Sequence, residues 1–171
     1  EAELSTLQSV VGSNYTMATF TDQNDSSWGG AQAMFYLSTQ FVENTALHND
    51  IFTGAGRHAD RWALNVTDYS GKRIFVYSMH LKASSGSDNQ ETRRAGAENV
   101  RDDIMLLPTG SHVIVCCDMN FYSSSEPAYD WFTNAGDGQL IAEFALQKRL
   151  FVPFETVPDN VINSFLSAED K

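Results

Sequence analysis

At 171 residues and 19.0 kDa, the chain has room for one domain with a sizeable core and is short for two. Its hydrophobic fraction of 42% and aromatic fraction of 12% exclude a disordered or low-complexity protein, and no apolar run reaches the ~18 residues that a membrane span needs. A net charge of −11 disfavours non-specific binding to polyanions unless a local basic patch or bound metal ions reverse the field.

The chain opens on Glu1-Ala2-Glu3, with neither a signal peptide nor an initiator Met, and is expected to be cut from something longer. Cys116 and Cys117 are adjacent in an apolar run and read as buried thiols, since bridging neighbours demands unusual geometry and zinc needs further ligands. Three Asn-x-Ser/Thr triplets begin at Asn14, Asn24 and Asn65, and they matter only in a secretory route.

In residues 3–11, Leu4, Leu7 and Val11 have helical spacing and Gly12 supplies a stop. From Tyr15 to Trp62, short apolar stretches at 15–20, 32–37 and 50–53 alternate with Asp, Asn, Ser and Gly clusters, which predicts antiparallel strands. Runs 61–67 and 73–80 flank the turn Tyr69-Ser70-Gly71-Lys72 and predict a hairpin. Both faces of 73–80 are largely apolar, so that strand is expected to be central and covered on both sides.

Asp88 and Glu91 have capping-box spacing ahead of a stripe of Ala97, Val100, Ile104 and Leu107, a helix ending at Pro108-Thr109-Gly110. Residues 112–118 form an apolar strand closing on Asp118, and Ser125-Glu126-Pro127 opens another helix through about residues 134–136. Strand, helix, strand, helix implies an α/β layer arrangement. From residue 137 onward, EFALQKRLF is compatible with a helix, while VPFETVPDNVINSFLSAEDK shows no clear period.

Two strand ends carry chemistry. One finishes on His80, the other on Asp118 with Asn120 two residues later. The carboxyl ends of neighbouring central strands are where α/β proteins build sites, because the strands are rigid and the loops open. Spacing alone favours a plainer reading, in which Asp118 caps a turn, Asn120 makes an Asx turn and His80 is a hydrogen-bonded strand end.

The motifs HLKA at 80–83, ETRR in the crossover helix and VIVCCDMNFYSSSEPAY at 113–129 resemble the endonuclease/exonuclease/phosphatase superfamily, nearest to its bacterial nuclease-like members. The resemblance covers about residues 50–135, and 1–50 loosely. It implies a deoxyribonuclease I-like α/β two-sheet sandwich flanked by helices, present here as a single, incomplete domain over 1–171. It also implies that His80 contacts the scissile phosphate, that Asp118 orients or deprotonates the attacking water or holds a metal ion, and that Asn120 binds the phosphate or its nucleophile. Arg57, with Arg61 as rival, matches an arginine that grips backbone phosphate; pairing of a surface arginine with Asp60 or another acid is an equal alternative. The implied cofactor is Mg²⁺ or Mn²⁺, with Ca²⁺ a further candidate, and the implied partner is nucleic acid or another phosphodiester.

The departures bear on activity. The superfamily's metal-binding glutamate and an earlier asparagine would lie just upstream of Glu1, and its late Ser-Asp-His motif has no counterpart, since no Asp-His dipeptide occurs. Gln90-Glu91 opens the crossover helix and is given no metal role; Cys117 stands where the motif has glycine. The leading expectation is a divalent-metal-dependent phosphodiesterase, a nuclease, in the parent protein. The alternatives are a non-catalytic binding module or inactive fragment of the same fold, and a phosphomonoesterase or phospholipase of the same superfamily. Substrate, compartment and oligomeric state are left open by the residues.

Overall fold

The computed structural model describes residues 2–21 and 31–133, so the tail from 137 onward lies outside the described residues. Helix α1 (Ala2–Val11) ends where Gly12 takes φ +95, a left-handed turn that costs glycine nothing. There the Gly12 N–H donates to Gln8 O at 3.1 Å.

Strands β1 (Tyr15–Met17) and β2 (Phe35–Leu37) pair antiparallel as a small separate sheet. The main sheet has five strands: β3 (Phe41–Glu43), β4 (Asn49–Gly54), β5 (Arg57–Val66), β6 (Arg73–His80) and β7 (His112–Asp118). Its order is β3-β5-β6-β7, with β4 beside β3 on the same side of β5. Strands β5 and β6 form the hairpin expected around Gly71, β5 starting earlier than the pattern suggested. Strand β3 has no counterpart in the sequence reading, because three residues are too few to show a period of two.

Helix α2 (Ser87–Met105) carries the chain from β6 across to β7, which runs parallel to it. The core forms between this helix and one face of the sheet, from Ala59, Ala63, Phe75, Tyr77, Met79, Leu81, Ala97 and Val100, with Phe132 of α3 (Pro127–Thr133) closing one side. Gly96 makes the packing possible, since a Cβ there would come within 2.5 Å of Thr53 O in β4.

Three expectations need correction. The capping box is absent: Gly86, at φ +101, occupies the N-cap with no side-chain bond, and Glu91 pairs instead with Arg94 at 2.8 Å. Strand β6 is central, but only its Phe75, Tyr77 and Met79 face is fully buried, while Ile74 and Val76 are half-buried. Cys116 is exposed rather than buried, because it lies on the face of β7 turned away from α2, where Ile114 is also 48% exposed.

Candidate active site at the ends of strands β6 and β7

Parallel pairing of β6 with β7 sets His80 directly opposite Asp118. Both side chains leave the sheet on the face away from α2, and His80 Nε2 lies 3.7 Å from Asp118 Oδ2. Neither is buried: the side chains are 38% and 64% exposed, open to a ligand. Beyond Asp118 the chain turns sharply, with Asn120 at φ +51, a region that asparagine tolerates better than most residues. The Asn120 N–H donates to Asp118 Oδ1 at 3.0 Å, so Asp118 caps the turn as the spacing suggested. The Asx turn is made by Asp118 and not by Asn120, two residues on from which the Tyr122 N–H goes to Glu126 Oε1. The Asp118 turn leaves Oδ2 toward His80.

The carbonyl of Leu81 ties the site together. It accepts from Asn120 Nδ2 at 3.0 Å and from Arg57 Nη1. The same Arg57 nitrogen lies 3.4 Å from His80 O, and the Leu81 N–H donates to Asp118 O at 2.9 Å. Leu81 itself is fully buried in the core. Four sequence-chosen residues, Arg57, His80, Asp118 and Asn120, therefore meet at one end of the sheet. Arg57, buried to 8% exposure, grips main-chain carbonyls with Nη1, which positions the strand end.

Arg61 goes elsewhere. It lies on the helix-facing side of β5, where Nη1 pairs with Asp103 Oδ2 at 2.6 Å and its Nε and Nη2 approach Leu47 O at 3.3 Å. Asp103 also accepts from Tyr77 Oη at 2.7 Å and Asn49 Nδ2 at 2.6 Å. The acid that pairs with it is Asp103 of α2 and not Asp60, whose side chain lies on the opposite face.

Sequence reading missed the pair that holds the loops around the site. Arg93 of α2 is fully buried, and its Nε and Nη2 meet Glu126 Oε2 and Oε1 at 2.8 and 3.0 Å. Its Nη1 donates to Lys82 O and Ser84 O at 2.8 and 2.9 Å, fixing the loop after His80. Glu126 Oε1 also accepts the Tyr122 N–H at 2.9 Å, fixing the loop after Asp118. The signal was available, since both residues lie inside the ETRR and SSSEPAY motifs, but neither stood at a strand end.

A second titratable group shares the site's face of the sheet. Asp60, opposite Ser78, is fully buried with His48 Nε2 at 3.5 Å. Burial and the charge of Asp50 push its carboxyl up to about 7 against a lowering hydrogen bond from Thr21. His58 Nδ1 lies 3.0 Å from Asp50 Oδ1. Cys117 is no nucleophile at neutral pH: burial first, then Cys116 and Asp118, push its thiol up to about 12.

Among the described residues no group of three or more His, Cys, Asp or Glu side chains is placed to hold a metal ion. What the site offers is one exposed carboxylate, Asp118. That suits an ion such as Mg²⁺, which keeps several waters and is commonly held by one or two carboxylates together with substrate phosphate oxygens. No helix among the described residues is long and apolar enough to cross a membrane.

No protein-family model matches the chain. A stretch of 35 residues is 54% identical to penicillin-binding protein 1A of Rickettsia prowazekii, covering 20% of this chain and 4% of that one. Among solved structures, the human Nocturnin catalytic domain with bound sulfate anion superposes with a TM-score of 0.60 at 21% identity, over 79% of this chain and 51% of that one. An endonuclease/exonuclease/phosphatase family protein from Bacteroides thetaiotaomicron gives a TM-score of 0.54 at 17% identity, over 70% of this chain and 45% of its own. D. rerio TDP2 complexed with single strand DNA product gives 0.52 at 15%, over 72% and 44%. The chain thus spans about half the length of the solved proteins it resembles. At 15–21% identity these superpositions are of the fold alone: the chain has the fold of the endonuclease/exonuclease/phosphatase superfamily.

Proposed function

We propose that the protein is a phosphoester hydrolase and, within that class, a phosphodiesterase that cleaves nucleic acid. The observation that carries this reading is the in-register pair His80 and Asp118, 3.7 Å apart and open to solvent at the ends of adjacent parallel strands. The fold shared with an endonuclease/exonuclease/phosphatase family protein supports it, as does a protein of that fold solved with a single strand DNA product.

The roles follow from the chemistry of each group. Asp118 accepts a proton from the attacking water through the oxygen that the Asx turn leaves free. His80 donates to a non-bridging phosphate oxygen as charge builds on it. One Asn120 amide N–H is used on Leu81 O, and the other is available to the phosphate. Water attacks phosphorus in line, and the bond to the leaving oxygen breaks opposite it. A divalent ion held by Asp118 and the substrate phosphate would neutralise charge on that phosphate.

The test is hydrolysis of plasmid DNA, bis(p-nitrophenyl) phosphate and p-nitrophenyl phosphate by this chain, in Mg²⁺ or Mn²⁺ against EDTA, beside an Asp118→Asn control. Diester turnover lost in the control and in EDTA is the expected result. Turnover confined to the monoester would transfer the site to a phosphomonoesterase. Complete inactivity toward all three would favour a binding module or an inactive fragment of the fold, in which the bond from Asn120 to Asp118 does turn work alone.

A further inference from the structure

The face of the sheet that carries His80 and Asp118 continues sideways onto two more strands. In the β4–β5 ladder Phe52 is the register partner of His58. The β5–β6 ladder pairs Ala59 with Met79, and continuing it by one residue sets His58 opposite His80. Directly paired residues project on the same side of a sheet, so Phe52, His58, His80 and Asp118 form one row across four strands at the same sheet end.

Phe52 is 53% exposed, on the face of β4 opposite to that of Ile51 and Thr53, which are buried toward α2. Its ring meets His58 edge-on, at 5.3 Å between centroids and 73° between planes. His58 Nδ1 in turn lies 3.0 Å from Asp50 Oδ1. The Phe52 backbone is held too, its carbonyl accepting from Asn99 Nδ2 of α2 at 2.9 Å. The result is an aromatic face of fixed orientation, open to solvent and flanked by polar groups, too small and too polar-rimmed to read as a protein-docking patch.

We propose that Phe52 is a stacking subsite for a nucleobase of a single-stranded polynucleotide whose phosphate lies at His80 and Asp118. Strands are spaced about 4.8 Å apart, so Phe52 stands roughly 10 Å from His80 along the row, a distance that neighbouring nucleotides of one strand bridge. A flat, uncharged ring accepts any base, because every base presents a π-face. The inference rests on the nucleic-acid reading above and specifies which part of the substrate is recognised beyond its phosphate.

The experiment is fluorescence anisotropy of the full chain with two labelled, phosphorothioate-linked single strands of equal length in Mg²⁺. One carries thymine throughout and the other is abasic. The expected result is a preference of roughly five- to a hundredfold for the base-bearing strand. Phe52→Ala removes it and Phe52→Trp keeps it, both variants retaining the wild-type circular dichroism spectrum. Equal affinity of the wild type for the two strands, or a preference that survives Phe52→Ala, overturns the subsite while leaving the nuclease reading standing. Failure of the wild type to bind either strand overturns both.

Discussion

Arg93 and Glu126 form a two-point ion pair, at 2.8 and 3.0 Å, sealed from solvent between α2 and the start of α3. A buried pair of this kind is expensive to break from one side, because the remaining charge has no water to turn to. Glu126→Gln or Arg93→Met is expected to lower unfolding free energy by about 3–5 kcal/mol, measured by urea denaturation. The double replacement Arg93→Met with Glu126→Leu should recover much of that loss. The loops at 82–84 and 121–126 would still exchange their amide hydrogens faster, since Arg93 and Glu126 also hold Lys82, Ser84 and Tyr122.

Acid should act on this pair and on Asp60 in opposite senses. Burial raises the Glu126 carboxyl, but the hydrogen bonds from Arg93 and Tyr122, with the Arg93 charge, hold it below the usual range. Its contribution is therefore full above the unfolded value of about 4.3 and is lost as pH falls through the depressed folded one. For Asp60 the folded value is raised to about 7. The folded protein keeps a proton there that the unfolded chain releases above about 3.9, so this contribution is present at low pH and is lost as pH rises toward 7. Asp60→Asn should flatten the stability profile between roughly pH 4 and 7 relative to wild type, by on the order of 3 kcal/mol across the window. Parallel profiles for the two proteins would show that Asp60 ionises normally.

Asp118→Asn should separate chemistry from packing. The side chain is 64% exposed, and an asparagine oxygen still accepts the Asn120 N–H, so unfolding free energy should change by no more than about 0.5 kcal/mol. Diester hydrolysis, by contrast, should be abolished. Asp118→Ala removes the turn acceptor as well and should be measurably less stable than the asparagine variant. A large stability loss in Asp118→Asn would mark the carboxylate as structural.

Gly96→Ala is a substitution that improves helix propensity by about 1 kcal/mol and should still destabilise. The added methyl would stand 2.5 Å from Thr53 O and 3.1 Å from Thr53 Cβ, so helix and strand must separate. A net loss of about 1–3 kcal/mol, the usual range for overpacking, is expected as a lower thermal midpoint. An unchanged midpoint would mean that lifting α2 from β4 costs no more than the roughly 1 kcal/mol that the better helix propensity returns.

Long elements were legible because their hydrophobic period persists. Of the stripe Ala97, Val100, Ile104 and Leu107, the first two are fully buried and the last two half-buried, Leu107 lying past the end of α2 at Met105, and the Gly71 turn joins β5 to β6 as the flanking runs implied. Short elements and ends were not: β3 is three residues long, and the N-cap of α2 falls on Gly86 rather than on the better-looking Asp88. His80 and Asp118 end strands and Asn120 follows two residues later, but spacing alone favoured turn roles for them, and it was the resemblance carried by HLKA and VIVCCDMNFYSSSEPAY that singled them out; parallel register then brings the first two together. Their support could not be chosen, because it depends on which face a residue takes. One residue pattern, an arginine on β5, describes both Arg57 and Arg61. Yet one reaches the carbonyls after β6 while the other turns to Asp103.

The common acceptor for Arg57 and Asn120 is the Leu81 oxygen, a main-chain atom. No codon change at position 81 can delete it; replacement of the residue alters only the apolar packing beneath. The side chains that reach for that oxygen can drift, and a lost donor can be supplied again from another strand. The anchor at this end of the sheet is therefore inherited with the backbone itself, and it would persist in descendants that had exchanged every side chain around it.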